Sequence, residues 1–462
     1  MAEQPITFPE GFLWGTATAA HHVEGDNTNN DWWEFEERPG AICAAERSGL
    51  ACDWWRNAER DFDRMAAMGH NTHRLSVEWS RIEPQEGLFD LSAVTRYREM
   101  LLGLRQRGIE PMVTLFHFTS PLWLARLGGW SNPAVVGYFQ RFVRYTVEHL
   151  GDLVTLWCTV NEPNWYGLNG YLTGLHAPGK KSLRLCLRVW KHELLAHAAA
   201  YRIIHAVQDG AQAGLVLALA AIQPLDSKHR PSAWAARLAS YLFQGEFLRA
   251  VREGRLPFPI AVPPVRSEVL LDSTDFWGVN YYMRYRIGVS HDAGGRRLVF
   301  GPTPGAEMGD LCNGRPWGEI YPPGMYQVLM LLARLGKPIY VTENGVPDAD
   351  DDQRPRYLLR HLAQVRRAIA DGADVRGYYF WTLTDNFEWN AGWSWRFGLI
   401  ALDEKTQVRT PRPSAYLYEQ IIRANAIMPE MVLAYAPEVM DELFPRSEPG
   451  RVEMHQMKSN RG

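Results

Sequence analysis

Two short segments each run from a buried-looking strand straight into a carboxylate: Thr159-Val160-Asn161-Glu162-Pro163 and Ile339-Tyr340-Val341-Thr342-Glu343-Asn344-Gly345. A pair of such acids suits the cleavage of an acetal between sugars. One carboxyl group gives a proton to the leaving oxygen and the other meets the positive charge at the anomeric carbon. Glu162 and Glu343 are the candidate pair, and because they lie far apart in the chain, the fold has to bring them together.

Short β-branched or aromatic runs alternate with longer helical patterns, the signature of βα units around a parallel sheet. Strands are expected near 12–18, 72–79, 110–117, 155–161, 214–220, 275–281, 338–343 and 376–383. Between them apolar residues recur at three and four, as in Trp55, Ala58, Phe62, Met65 and in Leu358, Leu362, Val365, Ile369. With no Pro/Gly/Ser linker between the units, the reading is an α/β fold, a single (β/α)8 TIM barrel with elaborated βα loops over residues 1–427; a doubly wound sheet is the rival. Residues 428–462 lose periodicity and read as a mobile C-terminal tail. Chemistry in such barrels sits where strands end and loops begin. Glu162 closes the fourth strand and Glu343 the seventh, while Arg74, His117, Asn280 and Trp381 fall in or near the ends of the second, third, sixth and eighth.

The bulk numbers narrow the partners. A net charge of −3, from 49 basic and 52 acidic residues spread along 462 positions, offers no nucleic-acid surface and no polybasic membrane anchor. A small neutral or polar substrate fits best. Five cysteines without a C-x-x-C pair argue against a disulfide framework and a structural zinc site, leaving free thiols as the expectation. The start lacks the basic and apolar regions of a signal peptide and no apolar run reaches membrane-spanning length, so a cytoplasmic location is expected. Oligomeric state is not legible.

Other motifs invite chemistry and fail on spacing. Gly174-Leu-His-Ala-Pro-Gly179-Lys180-Lys181 lacks the Ser or Thr that a phosphate loop needs after its Lys. His192 and His197 are five apart, not the four that a zinc-binding helix uses, and read as helix surface. The run Asp348-Ala-Asp350-Asp351-Asp352 has Gln353 and Leu359 where a calcium loop requires Gly and Glu. His21-His22-x-Glu24 is a poor metal site without further ligands.

Further segments keep company with the two acids: Phe12-Leu-Trp-Gly-Thr-Ala-Thr-Ala19, Arg74-Leu-Ser-Val-Glu-Trp-Ser-Arg81, Gly128-Gly-Trp130, Gly170-Tyr-x-x-Gly-x-His-Ala-Pro-Gly179, Asp275-Phe-x-Gly-x-Asn-Tyr-Tyr282 and Trp381-Thr-Leu-x-Asp-Asn-Phe-Glu-Trp389. From Phe8 to about Ile422 the chain resembles glycoside hydrolase family 1, the β-glucosidase-type family. The short acidic segment after Gly345 looks closer to the branch that includes archaeal β-glycosidases.

The resemblance implies an exo-acting, retaining β-glycosidase without cofactor, acting on a small β-glycoside by double displacement. In it Glu162 is the acid/base and Glu343 the nucleophile, with Arg74 and Tyr282 keeping Glu343 ionised and aimed. Asn161 would bond the sugar 2-hydroxyl, and His22, His117, Asn280, Trp381, Glu388, Trp389 and Phe397 would surround the ring. A regular strand points neighbouring side chains to opposite faces, so Asn161 and Glu162 can both serve the site only if the pleat breaks there. The resemblance also implies a cis peptide between Trp381 and Thr382. Glu388-Trp389-Asn390 would repel a sugar phosphate, against a 6-phospho-β-glycosidase. Two positions depart from the family pattern: His22 stands where members carry Gln, and Phe118 replaces a frequent Trp. Glucosides, galactosides and fucosides all stay open as substrates, as do a transglycosidase and a binding barrel without turnover.

Overall fold

The computed structural model describes residues 4–292, 295–303, 305–312 and 314–445. Eight strands carry the fold: β1 Leu13–Ala17, β2 Thr72–Ser76, β3 Glu110–Phe116, β4 Leu156–Asn161, β5 Gln212–Pro224, β6 Phe276–Asp292, β7 Ile339–Asn344 and β8 Val375–Trp381. Each pairs in parallel with the next, and β8 pairs with β1, which closes a barrel and rules out the doubly wound sheet. All eight coincide with the strands expected from the sequence to within a few residues, except that β5 and β6 run on past the rim and stay paired as far as Pro224 and Ile287.

Strands buried on both faces are expected to be largely apolar on both, and most of these are; β2, with Thr72, His73, Arg74 and Ser76 all buried, is the exception. Along β4, Leu156 and Cys158 belong to an inner cluster with Met112, Phe276, Tyr340 and Tyr379, while Trp157 and Val160 join the outer cluster under the helices. The intervening helices include α1 Trp54–Ala67, α2 Leu91–Gln106, α3 Val135–Leu150, α4 Leu183–Val207, α5 Glu246–Glu253, α6 Pro322–Ala333, α7 Arg354–Ala370 and α8 Pro413–Ala424. The expected stripe on α1 is shifted by one residue at its start. Trp54, not Trp55, is buried, its indole donating to Asp61 at 2.7 Å, while Trp55 lies half-exposed under the Arg81 guanidinium.

The expected boundary at residue 427 falls short of the packed chain. Pro429–Tyr435 is a helix, and Met431, Val432, Ala436, Val439 and Phe444 are all buried. The apolar residues are too few to show a period, yet they join the main core, and Pro429–Tyr435 packs against α7 and α8. The rest of the expected tail, 446–462, lies outside the described residues. Among the described residues no helix is long and apolar enough to cross a membrane.

Candidate active site

Glu162 and Glu343 meet at the C-terminal mouth of the barrel, in the walls of one cleft enclosing about 630 Å³. Both positions depend on broken strand geometry. Between Cys158 and Asn161 the β4–β5 register slips by one residue, and Glu162 then takes φ of 44°, in the left-handed region. Glu162 thereby faces the cleft beside Asn161, as the paired role of the two residues requires. On β7 a second slip, between Val341 and Glu343, turns Glu343 inward directly after the inward Thr342.

The nucleophile candidate is gripped on both oxygens. Arg74, fully buried on β2, donates to Glu343 Oε1 at 2.6 Å, and the Tyr282 hydroxyl on β6 donates to Oε2 at 2.7 Å. Arg74 is itself aimed by Thr114 Oγ1 at 3.0 Å and by Asn161 Oδ1 at 2.7 Å. Glu162 receives one neutral donor, Asn280 Nδ2 at 2.8 Å, and Asn280 is held in turn by the Thr342 hydroxyl at 2.7 Å.

This asymmetry sets the protonation order. Burial raises both carboxyls above the usual carboxylate range. For Glu343 the rise is opposed by Arg74 and then by the Tyr282 donor. For Glu162 burial is joined by the Glu343 charge and only partly opposed by Asn280, so it goes well above that range. One proton shared between the two therefore resides on Glu162.

The groups expected to face the sugar follow the same logic. Arg74 can only donate, so the Asn161 amide turns its oxygen toward Arg74 and its NH2 toward His117 Nε2, 3.0 Å away. His117 then carries its proton on Nδ1, which is buried without a protein partner. Burial first, and the Arg74 charge next, hold His117 neutral. Glu388 accepts from Trp381 Nε1 at 3.2 Å, and burial, with the Glu343 charge adding, raises it to about 8. Trp381, Trp389 and Phe397 complete this wall, and the peptide between Trp381 and Thr382 is cis, as expected.

His22 is fully buried among these groups, edge-on to Trp389 with ring centroids 4.1 Å apart and next to Trp381 and His117 at 5.4 and 6.4 Å. Both its ring nitrogens lack partners, with Nδ1 4.0 Å from Glu388 Oε2. The outer walls lie outside the recognised motifs. Trp165, Phe243, Tyr285 and Trp317 line the cleft beyond the two acids. Trp165 lies three residues after Glu162 and was within reach of inspection, whereas Phe243 and Tyr285 come from segments with no pattern pointing at the mouth.

The rejected motifs stay apart from this centre. His21 bonds Glu36 at 2.7 Å, and Glu24 pairs with Arg81 at 2.7 Å, so neither converges with His22. His192 and His197 are buried, not on the helix surface: the first faces the Trp130 carbonyl and the second the Thr159 hydroxyl. Asp348 caps the start of α7 through the Gln353 and Arg354 amides, and its carboxylate clusters with those of Asp350 and Asp352.

The family model "Glycosyl hydrolase family 1" matches residues 4–427. The chain belongs to glycosyl hydrolase family 1. It is 32% identical to beta-glucosidase A of Acetivibrio thermocellus, over 91% of this chain and 99% of that one. Among solved structures it superposes on a beta-glycosidase from Pyrococcus horikoshii with a TM-score of 0.83 at 36% identity, covering 94% and 98% of the two chains. A beta-glucosidase from Thermotoga maritima in complex with glucoimidazole gives 0.82 at 29%, covering 91% and 100%. Family 1 membership makes the protein a glycoside hydrolase of the β-glucosidase type.

Proposed function

We propose that the protein is a retaining exo-β-glycosidase that hydrolyses small β-glucosides by double displacement. The observation that carries this reading is the unequal support of the two acids: Glu343 held by a cation and a phenol, Glu162 by one amide in a buried setting. Glu343 attacks the anomeric carbon as the bond to the leaving oxygen breaks, and Glu162 gives that oxygen its proton. Esterification cancels the Glu343 charge, which lowers the pKa of Glu162. Glu162 then takes a proton from water as the water attacks the anomeric carbon and the ester bond breaks, returning Glu343 to a carboxylate. Two inversions leave the β configuration intact.

Asn161 supports the transition state by bonding the 2-hydroxyl, with its amide locked by Arg74 on one side and by His117 on the other. The buried donors and acceptors of His117 and Glu388, with Trp381 beneath, suit the hydroxyls and C–H face of one pyranose ring. The aromatic outer wall of Trp165, Phe243 and Trp317 suits an aglycone or a second sugar. Relatives named beta-glucosidase favour a glucoside as the reference substrate.

The test is a panel of nitrophenyl β-D-glycosides with wild type, Glu162→Ala and Glu343→Gly. Wild type cleaves the glucoside with a β-configured first product. Glu343→Gly is inactive until azide is added, when it forms the α-glycosyl azide. A wild type that binds glucose analogues yet cleaves no member of the panel would overturn the reading in favour of a binding barrel.

A further inference from the structure

Outside the active site, two of the five cysteines meet across the rim. Cys43 lies in the loop that follows β1, and Cys312 lies in the loop that follows β6, yet their sulfurs stand 2.9 Å apart. That is inside van der Waals contact for two thiols, and closing it to a bond of about 2.03–2.05 Å takes roughly 1 Å of movement. No disulfide joins them, and Cys43 Sγ also contacts the Ser394 hydroxyl at 3.2 Å. The pair opens onto a surface hollow of about 1280 Å³ walled by Phe35, Ile42, Leu175 and Trp395, which gives a reagent access. Cys52, Cys158 and Cys186 are each 0% exposed, and none contacts another sulfur.

Both loops bear on the mouth, the sixth by lining it with Trp317 and the first by bracing one of its walls. Glu46, three residues after Cys43, accepts from the Trp393 amide at 2.6 Å in the loop that carries Glu388 and Trp389. Five residues beyond Cys312, Trp317 packs on Phe397 and Trp395, with ring centroids 5.1 and 4.7 Å away.

We propose that Cys43 and Cys312 form a thiol–disulfide exchange site for small disulfides of the glutathione type, and that their oxidation ties the first and sixth loops together over the cleft. The more exposed Cys312, as thiolate, attacks one sulfur of glutathione disulfide; the S–S bond breaks and one glutathione leaves. Cys43, as thiolate, then attacks the Cys312 sulfur and expels the second glutathione. Two thiol protons go to the two glutathione thiolates, and two protein sulfurs are oxidised as one disulfide is reduced. Half-burial, with the Cys43 sulfur adding to it, pushes the Cys312 thiol up to about 11, so the exchange speeds up as pH rises.

The experiment is incubation of the full chain with glutathione disulfide at pH 8.5, thiol counting in denaturant, and mass mapping. Titratable thiols should fall from five to three, with one peptide pair joining Cys43 to Cys312 and no retained glutathione. Cys43→Ser and Cys312→Ser should each form no internal link. The oxidised wild type should melt a few degrees higher, reversed by dithiothreitol, because the link closes a very long loop. Five surviving thiols, a stable glutathione adduct on one cysteine, a link between two chains, or a disulfide that leaves the melting point unmoved would overturn the proposal.

Discussion

Removing one hydroxyl from the nucleophile's surroundings tests the proposed chemistry most directly. Tyr282→Phe keeps the ring and its packing on Trp317 and Phe397 but deletes the 2.7 Å hydrogen bond to Glu343 Oε2. Burial first, and the Glu343 charge next, hold the Tyr282 phenol well above its ordinary pKa, so it is a donor throughout the working range. A hydrogen bond to a charged group is worth about 1.5–3 kcal/mol, which corresponds to a roughly 10- to 150-fold loss in kcat/KM if it all appears in the glycosylation step. The pH profile gives the sign. The phenol stabilises the ionised form of Glu343, so its loss raises the Glu343 pKa, and the rate falls as pH drops through that pKa. The acidic limb of kcat/KM should move to higher pH while the alkaline limb, set by Glu162, stays put. The assay is nitrophenyl β-glucoside hydrolysis between pH 4 and 9, with a thermal melt to show that the fold is unchanged. A loss below threefold with an unmoved acidic limb, or a shift confined to the alkaline limb, would refute the assignment.

Asn161→Ala should slow ordinary glucosides by about two orders of magnitude and 2-deoxyglucosides by far less, since the lost contact is to the 2-hydroxyl; equal losses on the two substrates would place Asn161 in a purely structural role. His22→Gln puts an amide where two ring nitrogens have no partner, 4.0 Å from Glu388. Glucoside kcat/KM should rise about fivefold, worth roughly 1 kcal/mol, as read from the panel. Gly345→Ala would set a Cβ 2.0 Å from the Trp381 carbonyl oxygen. Backbone has to shift there, so the melting point and the activity should fall together.

The barrel was legible because most of its strands are buried on both faces and therefore rich in apolar residues, and because α7 shows its stripe plainly. What escaped has physical reasons. Neighbouring tryptophans at the start of α1 cannot be told apart by periodicity, and Trp54 wins burial through its indole bond to Asp61. The segment after 427 is too short for a period, so its packing became visible only through what Val432 and Phe444 cover. At the site, the residues in the recognised motifs were read in full, but Phe243 comes from a helical turn, Tyr285 from the stretch of β6 beyond the rim and Trp317 from a loop, and nothing local in the sequence points any of them at the mouth. At His22 the motif fixes the place in the chain but not the bonding: the ring lies against Trp389 with neither nitrogen partnered.

A shared device explains why adjacent residues keep appearing together at this mouth. In a regular strand only every second side chain can face inward, as Asn280 and Tyr282 do on β6, where each bonds one of the two acids. Elsewhere the site uses neighbours: Asn161 with Glu162, Thr342 with Glu343, His117 with Phe118, Glu388 with Trp389. Each pair sits on a break in the backbone. Glu162, Phe118 and Trp389 have φ of 44, 72 and 46°, and β7 slips register before Glu343. A non-glycine residue in the left-handed region costs on the order of 1–3 kcal/mol, so these breaks persist only because the surroundings over-determine them. At Glu162 the determinants are visible: its amide donates to the Val216 carbonyl at 2.9 Å, and its carbonyl accepts from Trp165 and Tyr166. The strain thus concentrates where two carboxylates must face one anomeric carbon, and the rigid strands beneath, from Leu156 to Val160 and from Ile339 to Val341, keep it local.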